Sequence, residues 1–186
     1  MSSSATVGGD ERLRLFLGFR LPDEAAREIA AWQRRELDRE GVRIVPIENL
    51  HVTIAFLGSR PAGEVEAIGA ALRSAVRGVS EPVLTPRRYR ETRSVGMLVL
   101  DDEDGRATRI AAEAHRGLAE LGVYEPERRP WLPHLTVVRF RERPRLEPSI
   151  PDLGPVTMSD AAVYMSRLRP TGAQYEVVES VPLGGG

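Results

Sequence analysis

One short pattern occurs twice in this sequence, and it constrains the fold more than any other feature. Residues 50–56 read Leu-His-Val-Thr-Ile-Ala-Phe, and residues 133–140 read Pro-His-Leu-Thr-Val-Val-Arg-Phe. In both stretches the apolar residues recur with a period of two, which predicts a β-strand. The histidine and the threonine two residues later project from the same face of such a strand, and the apolar residues between them point the other way. We therefore expect two strands that each bury one face and carry an imidazole beside a hydroxyl on the other.

The repetition favours a functional site over an ordinary structural pair. Two of the three histidines have a threonine two residues later, although the chain contains only eight threonines among 186 residues. A single His-x-Thr pair has a plain structural explanation, because the two side chains can hydrogen-bond to each other within any sheet. Two copies with matching flanks instead indicate two halves of one site. The third histidine, His115, lacks a threonine partner, and its surroundings predict an ordinary helix-face residue.

The composition excludes several classes of site. The chain has no cysteine, so disulfides, thiolate metal ligands and a cysteine nucleophile are ruled out. It has no lysine either, and all 26 basic residues are arginine. A Walker-type phosphate loop requires a lysine, so the chain cannot contain one. It also cannot be a ligase that forms a covalent adduct on a lysine side chain. The net charge of −1 predicts no broad surface for long nucleic acids, so any nucleic-acid contact should be local.

The remaining totals predict one compact domain in the cytoplasm. No signal peptide or membrane-spanning stretch is recognisable in the sequence. Residues 1–11 are small and polar, which predicts a disordered tail, and residues 184–186 form a short glycine tail. The intervening residues 12–183 are enough for two small lobes that share one core.

Hydrophobic periodicity and turn residues predict an alternation of strands and helices. Besides the two His-x-Thr strands, of which the first should stop at Gly58, strands are expected at 12–20, 42–45, 83–89, 95–100, 157–168 and 174–182. Helices are expected from about Pro22 to Gly41, from Pro61 to Arg77 and from Arg106 to Leu121. Residues 143–155 are rich in proline and should be irregular. The order of these elements predicts an α+β fold with an internal duplication, in which each half contributes one His-x-Thr strand to a shared central cleft.

Two facing imidazoles are suited to paired acid–base catalysis, because histidine titrates near neutral pH. One of His51 and His134 would deprotonate a nucleophile while the other protonates a leaving oxygen. The hydroxyls of Thr53 and Thr136 could donate to the non-bridging oxygens of a phosphate, where negative charge accumulates in the transition state. No paired carboxylates stand near either motif, so we expect neither a metal ion nor another cofactor.

Binding of a phosphodiester substrate also requires positive charge near the phosphate and a surface on which the nucleobase can stack. Arg139 follows the second motif, but strict alternation places it on the face of Leu135 and Val137, away from His134. Its side chain can reach the cleft only if the strand ends, bulges or twists there. Otherwise Arg139 is an ordinary exposed arginine on the protein surface. Phe56 and Trp131 flank the motifs as candidate stacking surfaces for a nucleobase, and burial in the core is the alternative for both.

At these residues the chain resembles the 2H phosphoesterase superfamily, and within it the RNA 2′,3′-cyclic phosphodiesterases, also called 2′–5′ RNA ligases. The first motif is Asn-Leu-His-Val-Thr-Ile at 49–54, followed by Phe-Leu-Gly at 56–58. The second is Arg-Pro-Trp-Leu-Pro-His-Leu-Thr-Val at 129–137, followed by Arg139. The opening strand at 12–16 and the segments 166–168 and 175–177 are also similar to family members. The likeness covers most of residues 12–183.

The resemblance implies two pseudo-twofold-related lobes, each an antiparallel sheet with outer helices, around a cleft that carries both motifs. It further implies metal-independent opening of an RNA-terminal 2′,3′-cyclic phosphate to a 2′-phosphate, with His51 as proton donor and His134 as proton acceptor. Thr53 and Thr136 would hold the phosphate. Arg139 and Phe56 are the candidate substrate-binding residues on the grounds given above. Run backwards with an RNA 5′-hydroxyl in place of water, the reaction would join tRNA-half-like ends without ATP.

Other functions fit the same residues. The substrate could be a small cyclic nucleotide, a 2′–5′ oligoadenylate or an ADP-ribose cyclic phosphate instead of an RNA end. A non-catalytic protein that binds RNA ends is a further alternative, although a binder needs no pair of imidazoles. In each case we expect a monomer that does not contact membranes.

Overall fold

The computed structural model describes residues 11–184. Most of the expected N-terminal tail, residues 1–10, and the last two glycines lie outside the described residues. The strands are β1 (Arg12–Arg20), β2 (Val42–Ile44), β3 (His51–Pro61), β4 (Val83–Glu91), β5 (Val95–Asp101), β6 (His134–Phe140), β7 (Val156–Thr157), β8 (Asp160–Arg169) and β9 (Gly172–Pro182). The α-helices are α1 (Asp23–Glu36), α2 (Val65–Val76) and α3 (Arg106–Glu120), and short 3₁₀ helices occupy Ile47–Asn49 and Ala62–Glu64.

All of these strands join one antiparallel sheet, which confirms the α+β class. The strand order is β7-β4-β5-β6-β3-β1-β8-β9, and β2 pairs with β6 beside this path. The two expected lobes are therefore the two halves of a continuous sheet, β3-β1-β8-β9 on one side and β7-β4-β5-β6 on the other. They meet where β3 pairs with β6, at the single registered pair Val52 and Leu135.

The helices cover one face of the sheet. Leu17 and Phe19 of β1, Val52 of β3 and Val137 of β6 are fully buried on that face. Helices α2 and α3 pack against each other and against strands of both lobes. Burial of these alternating apolar residues fixes the register, because a shift by one residue would turn every side chain to the opposite face. The histidines of both motifs therefore lie on the face that the helices leave open.

Several predicted boundaries were wrong, among them the start of the second helix, which begins at Val65 and not at Pro61. The expected strand at 157–168 is two strands, since β7 pairs with β4 in one lobe and β8 pairs with β1 in the other. The residues between them cross from lobe to lobe, and periodicity alone does not reveal such a crossing. Helix α1 ends at Glu36, five residues before Gly41, whose φ of 78° instead leads into β2. Strand β3 continues past Gly58 to Pro61, because Gly58 adopts a φ of 68° at an irregularity of the pairing with β1.

The proline-rich segment 143–155 has no helix or strand, as its composition predicts. Glu91, whose side chain is almost completely buried, holds its start by accepting hydrogen bonds from the backbone N–H groups of Arg145 and Leu146 at 3.0 and 2.8 Å. Trp32 donates from its indole to the carbonyl of Ser149 at 2.8 Å. Within residues 11–184, no helix is long and apolar enough to cross a membrane.

Candidate active site

The pairing of β3 with β6 brings the two motifs together. Val52 and Leu135 are direct partners, so the antiparallel register sets His51 across from Thr136 and Thr53 across from His134. Side chains directly opposite each other in such a pair have Cβ atoms about 4.5–5.5 Å apart, and diagonal neighbours lie about 7–8 Å apart. The two imidazoles are diagonal neighbours on the open face. All four side chains of the motifs therefore converge on one spot, as the sequence predicts.

Each motif is followed by a β-bulge at the same position. In β3 the partners of Leu17 and Gly18 are Ala55 and Thr53, which leaves Ile54 as an extra residue. In β6 the partners of Gly96 and Met97 are Val138 and Thr136, which leaves Val137 as an extra residue. The residue directly after each threonine is thus the bulged one. This local symmetry supports the duplication that the motifs suggest.

The bulges turn Arg139 and Phe56 toward the histidines. Two consecutive residues after each threonine are buried, so the alternation resumes one residue late. Arg139 is exposed and shares a face with His134 and Thr136, contrary to strict alternation. Phe56 occupies the corresponding position in β3 with 65% of its surface exposed, so the core alternative is wrong for this residue.

Side chains from two helices hold the bulged carbonyls. His115 of α3 donates from Nε2 to the carbonyl of Ile54 at 2.7 Å, and Gln33 of α1 donates from Nε2 to the carbonyl of Val137 at the same distance. A bulge disrupts the strand ladder locally, and these side chains donate to the carbonyls at both bulges. The Val137 carbonyl also accepts from the backbone N–H of Val45 at 3.0 Å. The interpretation of His115 as an ordinary helix-face residue was therefore incomplete, because its ring fixes the backbone next to Thr53.

Trp131 contributes to the same arrangement. Its indole N–H donates to the carbonyl of Thr53 at 3.0 Å, and its ring packs edge-on against Phe19 with the centroids 6.3 Å apart. Trp131 is half-buried. This residue thus positions the backbone of the first motif while one side of its ring lines the cleft.

The hydrogen bonds of His51 define its tautomer. Nδ1 lies 2.8 Å from the backbone carbonyl of Asn49, which can only accept, so Nδ1 carries the proton. Nε2 of the neutral ring is then an acceptor, and it receives the hydroxyl proton of Thr53 at 2.9 Å. His134 repeats this pattern, with Nδ1 donating to the carbonyl of Leu132 at 2.9 Å. Both rings consequently present Nε2 to the cleft.

An aromatic wall encloses His51. Its ring centroid lies 4.7 Å from that of Phe16, 5.4 Å from Tyr175 and 5.6 Å from Tyr164. Phe16 and Tyr164 stack nearly parallel at 4.7 Å. The sequence did not lead us to expect this wall. A signal existed for Phe16, which stands out of phase with the buried residues Leu15 and Leu17, but nothing in the sequence connects it with strands β8 and β9.

This enclosure makes His51 a weak base. Burial lowers the pKa of His51 to about 4, the positive charges of His134 and Arg139 act in the same direction, and the hydrogen bond to Asn49 opposes them. His51 is therefore neutral at pH 7, with Nε2 free of a proton. The influence of His134 and Arg139 also shows that both side chains lie within electrostatic range of His51.

Two adjoining pockets occupy the open face, and Phe56 lines both. The larger, of about 820 Å³, contains Thr53 and His134 together with His115, Tyr124 and Trp131. The smaller, of about 530 Å³, contains Phe16 and Tyr175 of the aromatic wall and the side chain of Arg139. Among the described residues, no group of three or more His, Cys, Asp or Glu side chains could hold a metal ion.

Comparison with known sequences gives a consistent set of matches. A family model described as "LigT like Phosphoesterase" matches residues 19–88. The chain is 30% identical to the RNA 2′,3′-cyclic phosphodiesterase of Thermus thermophilus, over 93% of this chain and 91% of that protein. It is 26% identical to the protein of the same name from Methanocaldococcus jannaschii, over 90% of this chain and 99% of that one.

Solved structures show the same fold. The crystal structure of Escherichia coli LigT in complex with 3′-AMP superimposes with a TM-score of 0.82 at 24% identity, over 94% of this chain and all of that one. A crystal structure of a Thermus thermophilus protein superimposes with a TM-score of 0.77 at 27% identity, over 93% of this chain and 99% of that one.

Proposed function

Because this chain belongs to the LigT-like phosphoesterase family, we propose that it hydrolyses an RNA-terminal 2′,3′-cyclic phosphate to a 2′-phosphate without a metal ion. The observation that carries the proposal is the convergence of two Nε2 atoms on one open face, each ring fixed through Nδ1 to a backbone carbonyl. The relatives from Methanocaldococcus jannaschii and Thermus thermophilus are named RNA 2′,3′-cyclic phosphodiesterases. A phosphodiester seated between the two imidazoles would have a base on one side and an acid on the other.

The reaction has one proton acceptor and one proton donor. His134 takes a proton from water, whose oxygen attacks phosphorus, and the bond from phosphorus to the 3′ oxygen breaks. His51 gives its proton to the departing 3′ oxygen, so the product carries a 2′-phosphate and a 3′-hydroxyl. Thr53 and Thr136 donate hydroxyl hydrogen bonds to the non-bridging oxygens, and Arg139 neutralises their developing charge. Phe56, exposed beside them, offers a face on which the terminal base stacks.

The low pKa of His51 places a condition on these roles. A donor must be protonated, whereas His51 is neutral in the free protein at pH 7. We infer that the bound phosphate anion raises the pKa of His51, because an adjacent negative charge favours the imidazolium form. If the roles were exchanged, the neutral ring of His51 could act as the base without any change of its pKa, and His134 would be the acid.

The same groups could catalyse ligation, in which an RNA 5′-hydroxyl replaces water as the nucleophile. The 5′ oxygen would attack phosphorus, the bond from phosphorus to the 3′ oxygen would break, and a 2′–5′ linkage with a free 3′-hydroxyl would result. That ligation needs neither ATP nor a lysine adduct, and the sequence has no lysine. We propose RNA ends similar to tRNA halves as the substrate of both reactions, in the cytoplasm and with a monomeric enzyme.

The decisive experiment is incubation of the protein with an RNA that ends in a 2′,3′-cyclic phosphate, in the presence of EDTA. We expect a 2′-phosphate product. A 3′-phosphate product would contradict the direction of opening, and complete inhibition by EDTA would contradict the metal-free mechanism. His51→Ala and His134→Ala should each lower the rate by about 10²- to 10⁴-fold with unchanged circular dichroism.

A second substrate separates the roles of the two histidines. In this substrate a sulfur atom replaces the 3′ bridging oxygen of the cyclic phosphate. Because a thiolate leaves without protonation, this substrate should restore the rate of the variant that lacks the proton donor. We expect rescue of His51→Ala and no rescue of His134→Ala. The opposite pattern would exchange the two roles. A non-catalytic binder would show no hydrolysis of either substrate, and a small-nucleotide enzyme would prefer a cyclic mononucleotide to the RNA.

A further inference from the structure

Four arginines line the smaller pocket next to His51, and its lining includes no aspartate or glutamate. They are Arg14 of β1, Arg43 of β2, Arg139 of β6 and Arg169 at the end of β8. In the described part of the chain, none of the four forms an ion pair, although eleven ion pairs occur elsewhere. A protein with a net charge of −1 has enough carboxylates to neutralise these side chains, so the concentration of unpaired positive charge is local.

Two of these arginines are direct partners across strands. Arg43 lies opposite Arg139 in the pairing of β2 with β6. Cβ atoms of such partners are about 4.5–5.5 Å apart, and like charges at this distance destabilise the pair. An anion between or beside the two guanidinium groups would remove that repulsion. Gly172, the first residue of β9, lies beside Arg43, since a Cβ there would be 3.7 Å from one of its terminal nitrogens, an ordinary contact distance.

One phosphate does not need four arginines. In the proposed function Arg139 serves the cyclic phosphate at the histidines, which leaves Arg14, Arg43 and Arg169 without a partner. The same pocket holds Phe16 and Tyr175, whose rings also contact His51. The pocket therefore adjoins the histidine of the first motif, and a second phosphate of the same substrate could lie in it.

We propose that Arg14, Arg43 and Arg169 bind the phosphate on the 5′ oxygen of the nucleoside whose 2′,3′-cyclic phosphate lies between the histidines. This inference rests on the proposed function. In an oligoribonucleotide that group is the last internucleotide phosphate, and in a mononucleotide it is a free 5′-phosphate. Guanidinium groups bind phosphate oxygens through paired hydrogen bonds, so the site distinguishes substrates that carry this phosphate from those that lack it.

Three substrates test the proposal: a nucleoside 2′,3′-cyclic phosphate with a 5′-hydroxyl, the same compound with a 5′-phosphate, and a trinucleotide with the same cyclic end. Arg43→Gln should lower kcat/KM about tenfold for the second and third substrates, since it removes a charged hydrogen bond. It should leave the first substrate unchanged. Arg14→Gln and Arg169→Gln should show the same selectivity, and Arg43→Lys should recover part of the loss. Arg34→Gln, the same change at an exposed position of α1, is the matched control.

A response of both phosphorylated substrates would support the proposal. A response of the trinucleotide alone would overturn it, because the 5′-phosphorylated mononucleotide carries a phosphate on the same oxygen. An equal loss on all three substrates, or no loss on any, would overturn the proposal.

A binding measurement keeps this test independent of catalysis. Fluorescence anisotropy with a labelled trinucleotide that ends in a 2′-phosphate reports affinity even when no turnover occurs. Each arginine that contacts a phosphate should contribute about 0.7 to the slope of log K against log salt concentration for a single strand. We expect Arg43→Gln to reduce the slope by about that amount and Arg34→Gln to leave it unchanged. An inactive wild-type protein would end the proposed function, whereas an unchanged slope in all three variants would end this inference.

Discussion

Acidification should destabilise this protein in large part through the side chain of His51. Its pKa in the folded state is about 4, against an ordinary value of 6.5. Between these two values the unfolded chain binds a proton that the folded protein excludes, so the free energy of unfolding decreases as the pH falls. The contribution of His51 is fully present above pH 6.5 and is lost progressively as the pH falls to about 4.

The size of the effect follows from the shift. Each unit of pKa difference corresponds to about 1.4 kcal/mol. The free energy of unfolding should therefore decrease by up to about 3 kcal/mol between pH 7 and pH 4. That is a large part of the stability of an ordinary domain, about 5–15 kcal/mol. Other groups also titrate in this range, so the effect must be isolated by comparison with a variant that lacks the imidazole.

Urea unfolding of the wild-type protein and of His51→Gln, followed by circular dichroism from pH 7 to pH 4, provides that comparison. Across this pH interval, the free energy of unfolding should fall by up to about 3 kcal/mol more in the wild-type protein than in the variant. His134→Gln is a control, because the ring of His134 lacks the aromatic wall around His51. Parallel stability curves for the wild-type protein and His51→Gln would refute the argument that burial holds His51 neutral.

Three further substitutions test other parts of the site. Gln33→Leu removes the side-chain donor to the carbonyls of Val45 and Val137, and Val137 keeps the backbone N–H of Val45 as a second donor. Chemical denaturation should show a decrease of about 1–3 kcal/mol in the free energy of unfolding, because the Val45 carbonyl loses this donor. Gly18→Ala would place a Cβ 3.2 Å from the ring of His51 and 3.1 Å from a backbone oxygen. We expect this crowding to lower the free energy of unfolding by about 1–3 kcal/mol. It should also lower kcat on the cyclic-phosphate substrate. Arg43→Gln relieves a repulsion between like charges, so calorimetry should show an increase in Tm of roughly 1–3 °C in the absence of phosphate.

The sequence alone predicted most of the strands and helices and the convergence of the two His-x-Thr pairs. Alternation with a period of two is a property of the isolated strand, so the pattern of each His-x-Thr stretch correctly placed its histidine and threonine on one face. The two copies predicted that those faces would meet, and the pairing of Val52 with Leu135 confirms it. The absence of lysine and cysteine excluded whole classes of chemistry without any structural information.

Tertiary structure decided what surrounds the two histidines. The bulges at Ile54 and Val137 turn Phe56 and Arg139 toward the cleft, and their carbonyls are held by side chains of distant helices. A bulge depends on the partner strand and on available donors, and neither is encoded within the strand that bulges.

The same reason applies to the aromatic wall around His51 and to the pairing of Arg43 with Arg139. Each joins residues far apart in the chain, through pairings of strands that no local periodicity specifies. The sequence thus identifies the two histidines as the candidate acid–base pair, while the low basicity of His51 and the positive charge beside it arise only from the folded sheet.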